Sequence, residues 1–187
     1  MDVTAVTQTL LIANQLKYTA RTGWVQRGVP NAENVAAHSY GVVFTALALA
    51  QLLSDEQSAE PIDLGRLLAM AALHDLPEAL TTDIPTPAWR YLPPGIKTAV
   101  ERGAMQQIVA DTPFAIFFMS LWEELHATET TIARLVHDAD KLDMYLQAAV
   151  YEEQFGNSHL AEFWANPHTF HFPQAQAVYD ELRARRE

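Results

Sequence analysis

Apolar side chains recur every three or four residues through most of this chain, the period of a helix that lays one face on a core. Val3, Val6, Leu10, Ala13 and Leu16 begin the pattern and predict a helix over Val3 to Tyr18. Gly23 and Gly28 break it. A loop with Pro30 then leads to Asn31 and Asn34, either of which suits the cap of a second helix running through Val43, Leu47 and Ala50 to about Ser54. The acidic stretch Asp55 to Asp63 reads as a surface connection, with Asp63 the cap of a third helix from Leu64 to about Glu78. Pro85, Pro87, Pro93 and Pro94 remove backbone donors between Thr81 and Gly95 and predict a loop there. Helices resume from Ile96 to Ala110 and from Pro113 to His126, with Pro113 at a first helical position where its missing N–H has no partner to lose. Thr128 is placed to cap a longer helix, Glu129 to Phe155, whose core face carries Ile132, Leu135, Val136, Ala139, Leu142 and Leu146. Gly156-Asn157 ends it. A short piece near His159 to Trp164, a loop around Pro167 to Pro173 and a last helix through Tyr179 and Leu182 complete the chain. There is no strong period-two run, no repeat and no obvious linker, so the expected fold is all-α, one helical bundle over residues 1–187.

Polar residues interrupt three of these apolar helices. His38 falls in ENVAAHSYGVVFTALALA, His74, Asp75 and Glu78 in AMAALHDLPEAL, and Asp138 and Asp140 in LVHDADKLDMYLQAA. On a helix Glu78 comes four residues after His74 and three after Asp75, so the three side chains project toward one cavity. Pro77 cannot donate to the carbonyl of Leu73 and should kink or end the helix there. An isolated His-Asp pair reads most simply as a hydrogen-bonded core histidine beside a capping acid. Three buried polar intrusions on three helices need partners, however, and one shared divalent metal would satisfy them together.

Composition narrows the chemistry. The 187 residues include no cysteine, which leaves histidine nitrogen and carboxylate oxygen as metal donors and favours a reducing, cytoplasmic setting. Twelve Lys and Arg against 23 Asp and Glu give a formal charge of −11, which argues against long nucleic acid as a partner. A small phosphate ligand remains compatible if a cation offsets the charge. Lys17, Arg21 and Arg27 sit beside only Asp2 in the first 30 residues and form a candidate anion contact. The apolar stretches Gly41 to Leu53 and Pro113 to Trp122 fall short of the roughly 20 residues a membrane span needs, so no membrane association is expected. Phe114, Phe117, Phe118 and Trp122 make the helix from Pro113 apolar on most faces, fit to be buried or shared with a second subunit.

Taken together, RTGWVQRGVPNAENVAAHS (residues 21–39), ALHDLPEALTTDIPTP (72–87) and DADKLDMYLQAAVYEE (138–153) resemble the HD-domain superfamily of metal-dependent phosphohydrolases, whose ligands run in the order H…HD…D. The resemblance is closer to the YfbR-like 5'-deoxynucleotidase branch, covers residues 21–153 and leaves 154–187 as a helical extension without a motif. It implies an HD-domain bundle with a metal in its core, ligated by His38, His74, Asp75 and Asp140. Asp138 and Asp140 lie about 200° apart on a helix and cannot both face one metal. The match favours Asp140, leaving Asp138 a solvated neighbour and His137 a surface residue. The same resemblance implies that Glu78 is a general acid or base and that Asp83 orients water or sugar, unless it merely caps its turn. Substrate contacts fall to Arg21, Trp24, Arg27 and Thr86, with Trp24 either a stacking platform or a core residue. The branch has an arginine directly before this tryptophan, whereas here Gly23 precedes Trp24 and Arg21 stands two residues before that. One divalent cation, Mn, Co, Fe, Mg or Zn, would serve. The implied activity is hydrolysis of deoxyribonucleoside 5'-monophosphates by a homodimer. Alternatives are hydrolysis of a cyclic nucleotide or guanosine polyphosphate, or a metal-stabilised nucleotide-binding module without turnover.

Overall fold

A computed structural model describes residues 3–54, 61–165 and 168–186. Among these there are helices and no strands, with one isolated bridge pairing Ala20 and Asn34, so the all-α expectation holds. In chain order the helices are α1 (Val3–Ala13), α2 (Thr22–Val25), α3 (Val35–Ser54), α4 (Leu64–Leu73), α5 (Glu78–Thr81), α6 (Thr86–Trp89), α7 (Ile96–Val109), α8 (Ala115–Ala127), α9 (Thr131–Phe155), α10 (Ala161–Ala165) and α11 (Pro173–Ala184). The acidic expectation for Asp55 to Asp63 lies outside the described residues as far as position 60.

Local chemistry sets most of the boundaries. The Asn34 side chain accepts from the Ala37 N–H at 2.9 Å and caps α3, while Asn31 takes a left-handed φ of 53° in the turn before it. Asp63 caps α4 through the Arg66 N–H at 2.9 Å, as its position predicts. The cap of α9 is Thr130, which accepts from the Ala133 N–H; Thr128 instead ends α8 in the left-handed region with φ 56°. Pro113 precedes α8 by two residues rather than opening it. Within the expected proline loop the chain makes one helical turn, α6, because Pro85 and Pro87 sit at its start where donors are not needed.

The core lies where α3, α4, α8, α9 and α11 meet, and α3 packs most extensively on α9 and α4. Leu67, Leu121, Leu135 and Leu142 are fully buried there, each contributing about 1.5–3 kcal/mol by leaving water. Ile132 and Leu146 stand half-buried at the margins of the expected α9 face. The run Gly41 to Leu53 is only part of α3, whose 20 residues are long and apolar enough to cross a membrane. Val35, Val42, Ala46, Leu49 and Ala50 are nevertheless buried in the bundle, the arrangement of a core helix. After Glu153 the chain returns to this core through Leu160, Trp164 and Tyr179, with Tyr179 and Trp164 stacked at 5.9 Å.

Candidate metal centre and active site

The site begins where α4 ends. Pro77 lacks an N–H, so the backbone tightens into three-residue bonds: Leu76 donates to the Leu73 carbonyl at 3.1 Å and Glu78 to that of Asp75 at 3.0 Å. The expected helix to Glu78 therefore stops at Leu73, and α5 restarts at Glu78. His74 sits at the break with its Nδ1 2.7 Å from the Ala71 carbonyl. A carbonyl only accepts, so Nδ1 carries a hydrogen and Nε2 is the nitrogen that faces the cluster. That Nε2 lies 3.3 Å from Nε2 of His38 and 3.2 Å from Oδ2 of Asp75.

His38, in the first turn of α3, is completely buried. Its Nδ1 faces Oδ2 of Asp143 at 2.7 Å, and its Nε2 lies 3.6 Å from Oδ2 of Asp75 and 3.2 Å from Oδ1 of Asp140. Lys141 Nζ holds the other oxygen of Asp140 at 2.9 Å. His38, His74 and Asp75 thus bring three donor atoms within 4.8 Å of one another, with Asp140 joined to them through His38. Separations of 3.2–3.6 Å suit donors that share one cation at about 2.0–2.2 Å. Two buried imidazole nitrogens facing one another also need a positive charge between them. The donor set fits a divalent cation of borderline or hard character.

Burial and the Arg21 charge work against protonation of His38, yet its bonds to Asp140 and Asp143 carry its pKa up to about 9. Burial favours the neutral form of Asp75, but the charges of His74, His38 and Arg21 outweigh it and hold the carboxyl well below the usual range. Asp140 is likewise held low, with Lys141 and His38 outweighing its burial. Glu78 goes the other way: burial, then the nearby Asp75 and Asp83, push its carboxyl up to about 9. Its Oε2 is buried without a hydrogen-bond partner.

Asp75, Glu78, Asp140 and Lys141 line one cavity of about 920 Å³, with His38 and His74 behind them. Arg21 enters it with Nη1 3.5 Å from Asp75, and against the cost of burial the carboxylates of Asp75, Asp140, Asp83 and Glu78 keep it charged. Asp83 accepts the Thr22 N–H at 2.6 Å, while the Thr22 hydroxyl donates to the Asp83 carbonyl at 2.7 Å. Asp83 therefore pins the start of α2 rather than capping its own turn. Arg27 lines the cavity but is engaged by Glu162, by the Gly23 carbonyl at 2.8 Å and by the Phe163 ring at 4.6 Å. The Thr86 side chain lies outside the described residues.

Three expectations change. Trp24 is 2% exposed, donates Nε1–H to Glu33 at 2.9 Å and packs against Tyr151 and Phe163, so it is a wall of the cavity with its ring faces covered. Asp138 is not solvated: it is fully buried and accepts from the N–H groups of His171 and Phe172 and from His171 Nδ1. His137 is half-buried, its Nε2 2.9 Å from the Leu125 carbonyl. Lys141 and Asp143 stand outside the expected site set, and His168, expected as a surface or loop residue, lines the cavity. Asp143 lies one helical turn beyond Asp140, a signal that was present, whereas His168 reaches the cavity wall from a segment without periodicity.

A helical bundle that gathers two histidines and two aspartates from α3, the break after α4 and α9 has the arrangement of a metal-centred HD fold. Residues 13–176 match the HD domain, and this chain belongs to that family. It is similar to 5'-deoxynucleotidase HDDC2 of Danio rerio and of Homo sapiens, each 31% identical over 183 residues, covering 96% of this chain and 86% and 85% of those proteins. Among solved structures, a conserved hypothetical protein from Pyrococcus furiosus superposes with a TM-score of 0.81 at 36% identity, over 94% of this chain and 98% of that one.

Proposed function

We propose that this chain hydrolyses deoxyribonucleoside 5'-monophosphates to deoxyribonucleoside and phosphate, with one divalent cation held by His38, His74, Asp75 and Asp140. The observation that carries the reading is Glu78, a buried carboxyl with one oxygen unpartnered, on the wall of the same cavity as Asp75 and Asp140. The 5'-deoxynucleotidase relatives, similar over nearly the whole chain, support the substrate class.

A phosphate monoester resists water because its charge repels nucleophiles and its alkoxide leaves poorly. When bound, a divalent cation supplies charge neutralisation for the phosphoryl oxygens and acidifies water. Arg21 and Lys141 add positive charge beside the donor cluster and orient the phosphate. Glu78, whose carboxyl burial and the neighbouring Asp75 and Asp83 push upward, gives a proton to the 5' oxygen as the P–O bond breaks, while the water's oxygen bonds to phosphorus and the proton the water loses restores the acid. Asp83, fixed by Thr22, stands where it orients water or sugar. Arg27 lines the same cavity, and Trp24 limits the room for the nucleoside. We further propose one HD unit over residues 1–187, a cytoplasmic nucleotide as substrate, and a homodimer formed through α8, where Ile116 and Phe117 face outward.

The test is phosphate release from the chelated protein reloaded separately with Mn, Co, Fe, Mg and Zn. Deoxyribonucleoside monophosphates should be cleaved ahead of ribonucleoside monophosphates, a cyclic nucleotide and a guanosine polyphosphate. Turnover confined to one of the last two moves the substrate class. Nucleotide binding with no release by any metal replaces the enzyme with a binding module.

A further inference from the structure

Gly41 occupies the interior of α3, three residues beyond His38 and on the same side of the helix. Glycine is the least favourable residue for a helix interior apart from proline, so its presence there calls for a local requirement. A Cβ at this position would lie 2.0 Å from Oδ1 and 2.7 Å from Cγ of Asp143, separations that real atoms do not adopt. The Asp143 carboxylate therefore occupies the space that any other residue's side chain would take. From there its Oδ2 meets Nδ1 of His38 at 2.7 Å. Asp143 lies one turn of α9 beyond Asp140, so one face of that helix addresses both edges of the same imidazole. His38 is completely enclosed, and Asp143 is the acceptor that its Nδ1 meets.

We infer that Asp143 is a positioning residue for the candidate metal centre and that Gly41 is the vacancy that lets it reach His38. Asp143 keeps a hydrogen on Nδ1, locks the ring and leaves Nε2 as the donor toward the cluster. It acts only through His38. The inference rests on reading His38, His74, Asp75 and Asp140 as a metal centre, in which neither Asp143 nor Gly41 is itself a ligand.

The experiment compares the full chain with Asp143→Ala, Asp143→Asn, Gly41→Ala and the Gly41→Ala/Asp143→Ala double variant. Mn(II) and Zn(II) dissociation constants are measured alongside far-UV circular dichroism and nitrogen-15 histidine spectra of the zinc-loaded protein. Asp143→Ala and Gly41→Ala should each weaken metal binding by about 10- to 100-fold with the helical spectrum intact. Asp143→Asn should recover part of the loss, because its amide oxygen still accepts. The double variant should bind no more weakly than Asp143→Ala alone, since both changes remove one contact. Wild-type affinity in Asp143→Ala with an unchanged His38 spectrum overturns the inference, as do losses that simply add in the double variant. Should Asp143→Ala fail to fold, Gly41→Ala and Asp143→Asn decide, and unchanged binding in Gly41→Ala overturns it. A wild-type protein that binds neither metal sinks the metal-centre reading itself, before any variant is compared.

Discussion

Two carboxyl groups lie buried in this bundle under opposite conditions. Asp138 on α9 accepts from two backbone N–H groups and an imidazole, at 2.8–3.0 Å, and thereby fastens His171 and Phe172 to the core. Glu78 at the start of α5 is 8% exposed, and its Oε2 meets no donor. Burying an ionised carboxylate costs several kcal/mol unless hydrogen bonds replace the lost water, and Asp138 meets that condition while Glu78 does not. Glu78 is pushed toward the neutral acid instead. A saturated buried acid is a structural joint; an unsatisfied one that keeps its proton beside a cavity is equipped to give that proton away.

The contrast can be broken most directly at Glu78. Glu78→Gln preserves shape and removes the acid, so kcat for deoxyribonucleoside monophosphates should fall about 10²- to 10⁴-fold with metal content retained. If the metal leaves as well, Glu78 belongs to the donor set. Asp138→Ala should instead cost about 3 kcal/mol, because the His171 and Phe172 donors lose their acceptor. Thermal unfolding would show this as a Tm lower by about 6–12 °C, and a wild-type Tm would refute the joint.

A pH series sharpens the difference. Below 4.5 the carboxyl of Glu78 is protonated in both the folded and unfolded chains; between 4.5 and about 9 only the folded chain keeps the proton. Stability of the metal-free protein therefore drops as pH rises through that window. Glu78→Gln lacks this loss and should melt roughly 3 °C or more above wild type at about pH 8, with a smaller gap near pH 5. Parallel Tm curves would mean that Glu78 has an ordinary pKa. The smallest effect is expected at Thr82, which holds φ 62° between Glu78 and Asp83, a conformation β-branched residues rarely adopt. Thr82→Gly should stabilise by about 1 kcal/mol in urea unfolding if relief of strain outweighs glycine's added entropy; a loss would show that the strain is slight.

Much of this was legible in the chain because helical period and polar interruption are both local signals. His38, His74 and Asp140 each disturb an apolar helix, and the angular separation of Asp138 from Asp140 correctly put them on different sides of α9. The surroundings of Asp138 were not legible, since its partners arrive from His171 and Phe172, in a segment with neither periodicity nor motif. The pairing of His38 with Asp143 spans 105 positions and depends on the α3 to α9 crossing, which no local pattern encodes. Thr128 and Thr130 are equally good caps by type, and only the backbone turn between α8 and α9 chooses Thr130. Trp24 was ambiguous for a similar reason, because the Phe163 that covers it comes from α10.

The end of α4 also works as a ruler. The Ala71 carbonyl orients His74, and the turn forced by Pro77 starts α5 at Glu78. Distances along this stretch are therefore fixed by count as well as by identity. One residue inserted between Ala71 and Glu78 would swing α5 by about 100° relative to α4, even with every side chain retained. The core can exchange one aliphatic residue for another of similar volume, but this short interval tolerates no change of length.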